Sequence, residues 1–127
     1  MPVHLNHTIV AARDKRRSAT FLADLLGLGE PTTYGPFAVV ELENDVSLDF
    51  MDDEHVVPRH YAFLVSEDEF DAIYGRIRSW RLDHWADPQQ TRPSEINRND
   101  GGRGVYFLDP AGHYLEILTR PYGSGAD

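Results

Sequence analysis

Two histidines and two carboxylates occupy matching positions in the two halves of the sequence. His7 and His60 each precede a predicted helix by a similar distance and are 53 residues apart, while Asp49 and Glu116 each lie on the last predicted strand of their half. If the halves pack as one curved sheet with helices outside, equivalent positions converge, and two imidazoles meet one or two carboxylates in the concavity. Two imidazoles and a carboxylate leave open positions on an octahedral divalent metal. A substrate can then bind that metal through two oxygens.

A hairpin near the C-terminus presents Glu116. The run Asp109-Pro110-Ala111-Gly112 has the Asp, Pro and Gly positions of a type I turn and separates the apolar runs Val105–Leu108 and Tyr114–Leu118. A three-residue loop closed by a bulge pairs Tyr106 with Glu116, so both side chains share one face. A carboxylate between apolar neighbours is costly to bury alone, so Glu116 predicts a nearby cation.

The other elements repeat in the same order, strand, helix and then strands, in each half. Asp14 and Gly27 fit the start and end of the first helix, and Ser66 with Glu69 forms a capping box for the second. The second helix is amphipathic, with apolar residues at helical spacing. The predicted elements are strands at 3–12, 37–42, 46–51 and 59–65, helices at about 14–26 and 66–80, and hairpin strands at 105–108 and 114–118.

Composition restricts the classes of partner. The 127 residues suffice for one compact domain, and the net charge of −9 argues against a nucleic acid or an anionic membrane surface as the partner. The absence of cysteine excludes a disulfide, a zinc knuckle and a thiol nucleophile. Neither an apolar run of membrane length nor a signal-peptide core is visible, so we expect a soluble, cytoplasmic protein that binds a small molecule.

Three motifs resemble the vicinal oxygen chelate superfamily: LNH at 5–7, RHYAF at 59–63 and YFLDPAGHYLEI at 106–117. That superfamily includes glyoxalase I, extradiol dioxygenases, fosfomycin-resistance transferases and bleomycin-binding proteins. The resemblance covers about residues 3–120. It implies an α+β fold in which paired βαβββ modules, at about 3–53 and 58–120 of a single domain spanning 1–127, form a curved mixed sheet with a concave metal site. Single-domain members often form homodimers.

The resemblance also implies a ligand set. The superfamily's ligands on the first, fifth and last strands fall on His7, His60 and Glu116, and a fourth carboxylate ligand of glyoxalase-like members falls near Asp49. Two arrangements stay open: one site within each chain, or sites shared across a homodimer in which His7 of one chain meets His60 and Glu116 of the other. The metal is then a divalent ion, and iron, nickel, cobalt, zinc and manganese all remain open.

The expected function is that of a metal-dependent lyase, isomerase or dioxygenase acting on a small oxygenated substrate that chelates the metal. Glu116 and Tyr106 are the expected catalytic residues, with the Tyr106 hydroxyl bonding a developing oxyanion. The residues expected to contact the substrate are Tyr106, Trp85, Arg103, Met51 and Leu64, and the irregular segment from Trp85 to Arg103 is expected to frame the pocket. Two alternatives stay open, a bleomycin-type binding protein that needs no metal and a fosfomycin-type thiol transferase. The threonine that fosfomycin transferases carry two residues after the first histidine is Ile9 here.

Overall fold

Two four-stranded mixed sheets, each with one helix, make up the part of the chain that the computed structural model describes, residues 2–125. The chain divides into two compact units at residues 1–57 and 58–127. Each unit has the order βαβββ, which confirms the predicted α+β class and the repeat of one module. Within residues 2–125, no helix has the length and apolar character needed to cross a membrane.

The first unit has strand order β1-β4-β3-β2, in which β1 runs parallel to β4 and the other neighbours are antiparallel. Its elements are β1 (His7–Ala12), α1 (Lys15–Leu26), β2 (Thr32–Tyr34), β3 (Phe37–Glu41) and β4 (Ser47–Asp52). Asp14 caps α1 by accepting a hydrogen bond from the Arg17 backbone N–H at 3.1 Å. Gly27 ends the helix in the left-handed region with φ of 71°, as the sequence predicts.

The second unit repeats that arrangement with strand order β5-β8-β7-β6. Its elements are β5 (His60–Leu64), α2 (Glu67–Ser79), β6 (His84–Trp85), a short 3-10 turn (Asn99–Gly101), β7 (Gly104–Leu108) and β8 (Tyr114–Leu118). The Ser66 hydroxyl accepts from the Glu69 N–H at 3.1 Å, which confirms the predicted cap of α2. The buried side of α2 carries Phe70, Ile73 and Ile77, so this face joins the core of the unit.

The closing hairpin has the predicted register. Tyr106 pairs with Glu116, and Gly112 takes a positive φ of 92° after the turn. The Asp109 carboxylate accepts hydrogen bonds from the backbone N–H groups of Ala111 and His113 at 3.0 and 2.8 Å. Asp109 therefore fixes the loop conformation from within, which is the usual role of Asp at the first position of such a turn.

Two strands differ from the prediction because they are too short to show an alternating pattern. β2 has three exposed residues at a sheet edge, and β6 has two residues inside a segment predicted to be irregular. The first strand is also shorter than predicted and begins at His7 instead of residue 3. Edge strands of this length take their conformation from one neighbouring strand, so local sequence carries little information about them.

Asn97 holds the loop between β6 and β7. Its buried side-chain amide donates to the Ala86 carbonyl at 2.8 Å, and its backbone exchanges hydrogen bonds with Gly104 at 2.9 and 3.1 Å. A Cβ atom at position 104 would lie 2.9 Å from the Asn97 Oδ1 atom, so only glycine leaves room for this approach. Both ends of the loop are thereby fastened to the sheet.

Replacing Asn97 by Ala should lower the free energy of unfolding by about 2 kcal/mol, because buried hydrogen-bonding groups of the loop lose their partner. Urea unfolding followed by circular dichroism measures the change. Asn44→Ala, at an exposed turn position, is the matched control and should stay close to the wild type. Equal stability of the two variants would show that Asn97 does not fasten the loop.

Candidate active site

His60 and Glu116 come together because β5 and β8 are parallel neighbours. The register pairs His60 with Tyr114 and Ala62 with Glu116, so the histidine and the carboxylate lie on one face, two positions apart. The His60 Nε2 atom is 3.1 Å from the Glu116 Oε1 atom. Glu116 is only 1% exposed, whereas the His60 side chain is 48% exposed. The pair therefore joins a buried carboxylate to an accessible imidazole.

The imidazole is oriented by a backbone carbonyl. The His60 Nδ1 atom lies 3.0 Å from the Tyr114 carbonyl oxygen, which can only accept, so Nδ1 carries the proton. In the neutral ring, Nε2 then presents its lone pair to the Glu116 carboxylate. Two electron-rich atoms in contact are stable only when a proton or another cation neutralises them. Two metal ligands at right angles, each about 2.1 Å from the ion, are about 3 Å apart, so the pair fits a divalent metal.

The second oxygen of Glu116 has its own partner. The Tyr122 hydroxyl donates to Glu116 Oε2, and the hydroxyl oxygens of Tyr122 and Tyr106 are 2.7 Å apart. Burial and then the interaction with Glu116 raise the pKa of Tyr122, and burial likewise raises the pKa of Tyr106. Both phenols stay protonated at neutral pH. Since each has one proton, Tyr106 donates to Tyr122 and Tyr122 donates to the carboxylate.

The first unit repeats the register of this pair. In the parallel strands β1 and β4, His7 pairs with Ser47 and Ile9 pairs with Asp49. The exposed His7 has Nδ1 2.8 Å from Asn6 Oδ1, an acceptor, so its Nε2 atom also keeps the lone pair. Asp49 accepts a hydrogen bond from the Ser47 hydroxyl at 2.8 Å. His7 and Asp49 are therefore the counterparts of His60 and Glu116.

Of the predicted metal ligands, His60 and Glu116 are in direct contact in the structure. Within residues 2–125 of one chain, no group of three or more His, Asp or Glu side chains is positioned to hold a metal ion. His7, and Asp49 as a further ligand, stay predictions.

A cavity of about 390 Å³ adjoins the pair within the second unit. Trp85 and Tyr106, both predicted to line the pocket, are paired across β6 and β7 and lie in its wall. The His60 and Tyr106 rings stack with centroids 6.0 Å apart. The lining residues are His60, Trp85, Pro88, Gln90, Tyr106, Phe107, Leu108, Tyr114 and Tyr122. The wall is mainly aromatic and suits a flat apolar molecule.

Arg103 lies on the helix side of the unit. Its guanidinium donates to Glu67 at 2.8 Å and pairs with Asp71 at 2.9 Å, and it lies 4.4 Å from the centroid of the Phe70 ring. These contacts attach the residue that precedes β7 to α2. The predicted contact of Arg103 with substrate therefore has no support from its position.

The two apolar residues of the predicted pocket lie in different units. Leu64 is 62% exposed at the end of β5, and Met51 is half-buried in β4 opposite Ala11. Their contact with substrate stays a prediction.

Four residues of the lining, Phe107, Leu108, Tyr114 and Tyr122, are not predicted from the sequence, whereas Pro88 and Gln90 belong to the segment from Trp85 to Arg103 that is expected to frame the pocket. Tyr114 precedes Glu116 by two positions in one strand, and this spacing alone predicts a shared face. Leu108 is the strand partner of Tyr114 and shares its face. Phe107 precedes Leu108 in β7, and Tyr122 lies beyond the last strand, where no periodic pattern extends.

His113 fastens the hairpin to the start of β5. Its Nδ1 atom accepts a hydrogen bond from the Arg59 backbone N–H at 2.9 Å, and the Tyr114 N–H donates to the Arg59 carbonyl at 2.8 Å. The ring is 1% exposed and packs edge-on against Tyr61, with centroids 5.5 Å apart. The prediction that His113 steadies the hairpin is confirmed, and its contacts also fix the residue before His60.

Curated relatives share most of the chain. The sequence is 31% identical over 121 residues to the glutathione transferase FosA of Serratia marcescens, covering 89% of this chain and 78% of that protein. It is 27% identical over 124 residues to the metallothiol transferase FosB of Shouchella clausii, covering 91% and 79% of the two chains. No protein-family model matches the sequence.

Solved structures extend the comparison. Oxidase ChaP-H1 is 66% identical with a TM-score of 0.94, covering 96% of this chain and 99% of that chain. Oxidase ChaP-H2 is 65% identical with a TM-score of 0.96, covering 99% and 100%. A glyoxalase/dioxygenase from Nostoc punctiforme shares the fold at 22% identity and a TM-score of 0.71, covering 93% and 91%. Together with the paired βαβββ units, these relationships establish that the chain belongs to the vicinal oxygen chelate superfamily, as its motifs predict.

Proposed function

We propose that the chain is a metal-dependent oxidase that acts on a small, flat aromatic substrate carrying two neighbouring oxygens. The observation that carries this proposal is the contact of His60 Nε2 with Glu116 Oε1, 3.1 Å apart, at the wall of an aromatic cavity. The 66% identity to a protein named oxidase ChaP-H1 supports an oxidase over the lyase and transferase reactions of more distant relatives.

The proposed metal ligands are His60, Glu116 and His7, with Asp49 as a possible fourth. Two imidazoles and one carboxylate form the set that non-haem iron(II) oxygenases use, and iron is therefore our first choice over nickel, cobalt, zinc and manganese. The name of the relative FosB, a metallothiol transferase, supports a metal in this superfamily. When bound, iron(II) would supply the redox chemistry between substrate and dioxygen. We further propose a homodimer in which His7 of one chain completes the site of the other.

The chain's own residues bind and orient the substrate. The rings of Trp85 and Tyr114 offer faces on which a flat substrate can stack. The Gln90 amide, also in the wall, can bond a substrate oxygen. The Tyr114 carbonyl keeps the His60 proton at Nδ1, so Nε2 stays available as a ligand. Because the Tyr106 proton points to Tyr122, we expect the ring of Tyr106, more than its hydroxyl, to contact the substrate.

A fosfomycin-type thiol transferase is the second candidate, favoured by the 31% identity to FosA. Fosfomycin is a phosphonate, and tight binding of such an anion needs cationic side chains. Among the described residues that line the cavity there is neither lysine nor arginine, and Arg103 is paired with acidic residues of α2. The cavity therefore fits an apolar aromatic ring better than a phosphonate.

Metal content tests the ligand assignment. His60→Ala and Glu116→Ala should each lose most of the bound metal, because each removes one proposed donor, and His7→Ala should do the same. Elemental analysis of freshly purified protein measures the stoichiometry. His55→Ala is the control, since this histidine is exposed and lies outside the proposed set. Full metal occupancy in the His60 and Glu116 variants would refute the assignment.

Oxygen consumption tests the reaction class. Iron-loaded protein should consume dioxygen with an aromatic vicinal diol such as a catechol, and chelator-stripped protein should not. A Clark electrode with product analysis by mass spectrometry measures both. A hemithioacetal, fosfomycin with glutathione, and bleomycin serve as comparison compounds. Metal-dependent transfer of glutathione to fosfomycin without oxygen uptake would favour the second candidate, and metal-independent retention of unaltered bleomycin would favour sequestration.

A further inference from the structure

An exposed tyrosine of the C-terminal tail, Tyr122, contacts the buried carboxylate of Glu116. Tyr122 lies four residues beyond the end of β8, and 59% of its surface is exposed. Its hydroxyl nevertheless donates to Glu116 Oε2, and its ring forms part of the cavity wall. Within the described residues, Glu116 therefore has separate polar partners for its two oxygens, Tyr122 for Oε2 and His60 for Oε1.

Specific contacts hold the tail in this position. The Asp100 carboxylate accepts hydrogen bonds from the Gly123 and Gly125 backbone N–H groups at 3.0 and 3.4 Å. The Arg120 guanidinium donates to the Ser124 carbonyl at 3.1 Å. At Gly125 the tail passes so close to Asp100 that an added Cβ atom would lie 1.7 Å from the Asp100 carbonyl oxygen. The path of the tail therefore depends on glycine at this position.

The hydroxyl of Tyr122 makes the two oxygens of Glu116 inequivalent. A carboxylate can offer one or both oxygens to a cation, and rotation about its last bond exchanges them. With Oε2 bound by Tyr122, Oε1 is the oxygen that faces His60 Nε2. Without the hydroxyl, a buried oxygen would lose its donor, and turning towards the cation would replace the lost interaction. Tyr106 donates its proton to Tyr122 and also interacts directly with the Glu116 carboxylate, so it supports Tyr122 in the same task.

We propose that Tyr122 is a positioning residue of the metal centre, whose hydroxyl keeps Glu116 bound to the metal through one oxygen. The C-terminal tail is then a functional wall of the substrate cavity. This inference rests on the proposed function, because it takes Glu116 as a metal ligand.

Cobalt(II) binding to the full chain tests the inference without any substrate. Tyr122→Phe removes only the hydroxyl and should weaken cobalt affinity about 10-fold, the usual scale for a partner of a ligand. It should also change the visible cobalt absorption, which reports the number and geometry of donor atoms. Tyr106→Phe should weaken binding less and leave the spectrum like that of the wild type. Tyr34→Phe, at a 75% exposed position of the first unit, is the matched control and should change neither.

A second variant moves the tail and keeps the hydroxyl. Gly125→Ala places a methyl group against the Asp100 backbone, so the tail must shift, and cobalt affinity should fall in the same direction as for Tyr122→Phe. Urea unfolding of the metal-free proteins establishes that both variants are folded. Wild-type affinity and spectrum in Tyr122→Phe would overturn the inference while leaving the ligand assignment intact. A wild-type protein that binds no cobalt would instead refute the metal centre itself.

Discussion

The burial of one carboxylate, that of Glu116, on a face of the sheet is the constraint on which the arrangement of the second unit depends. Desolvation of Glu116 is unfavourable unless both oxygens are compensated: Tyr122 donates to Oε2, and Oε1 faces His60 Nε2, where a proton or a metal ion is needed between the two atoms. The parallel pairing of β5 and β8 brings His60 to one oxygen, and the tail brings Tyr122 to the other. The site consists of groups that the fold holds at fixed positions, so its geometry is preorganised.

The two units use one register with different local chemistry. In both, a histidine at the start of the first strand lies two positions from a carboxylate on the parallel neighbour. The carboxylate of the first unit is one methylene shorter and bonds a serine on its own strand, whereas Glu116 reaches across to the histidine. The two units thus share one backbone arrangement but differ in the length of the acidic side chain and in the serine hydroxyl that bonds the shorter one.

Local rules predicted the elements that carry strong signals. The turn Asp109–Gly112 fixed the hairpin register, and caps at Asp14 and Ser66 gave the helix starts within a residue. These features depend on neighbours a few residues away, so they are legible in the sequence. The two short strands take their form from one pairing partner and left no pattern. Tyr122 and Arg103 show a third limit, since their contacts depend on how the tail and α2 meet distant groups.

The loop at residues 86–98 is held to the sheet at its base, so the loop and the strands can change in sequence independently of each other. The imidazole and the carboxylate belong to β5 and β8, whereas Pro88 and Gln90 belong to a loop that Asn97 secures at its base. Substitutions at the loop tip alter the shape of the cavity without displacing the strands that hold the reactive groups. Changes at the loop tip can therefore alter which small molecule the cavity accepts while the imidazole and the carboxylate keep their positions.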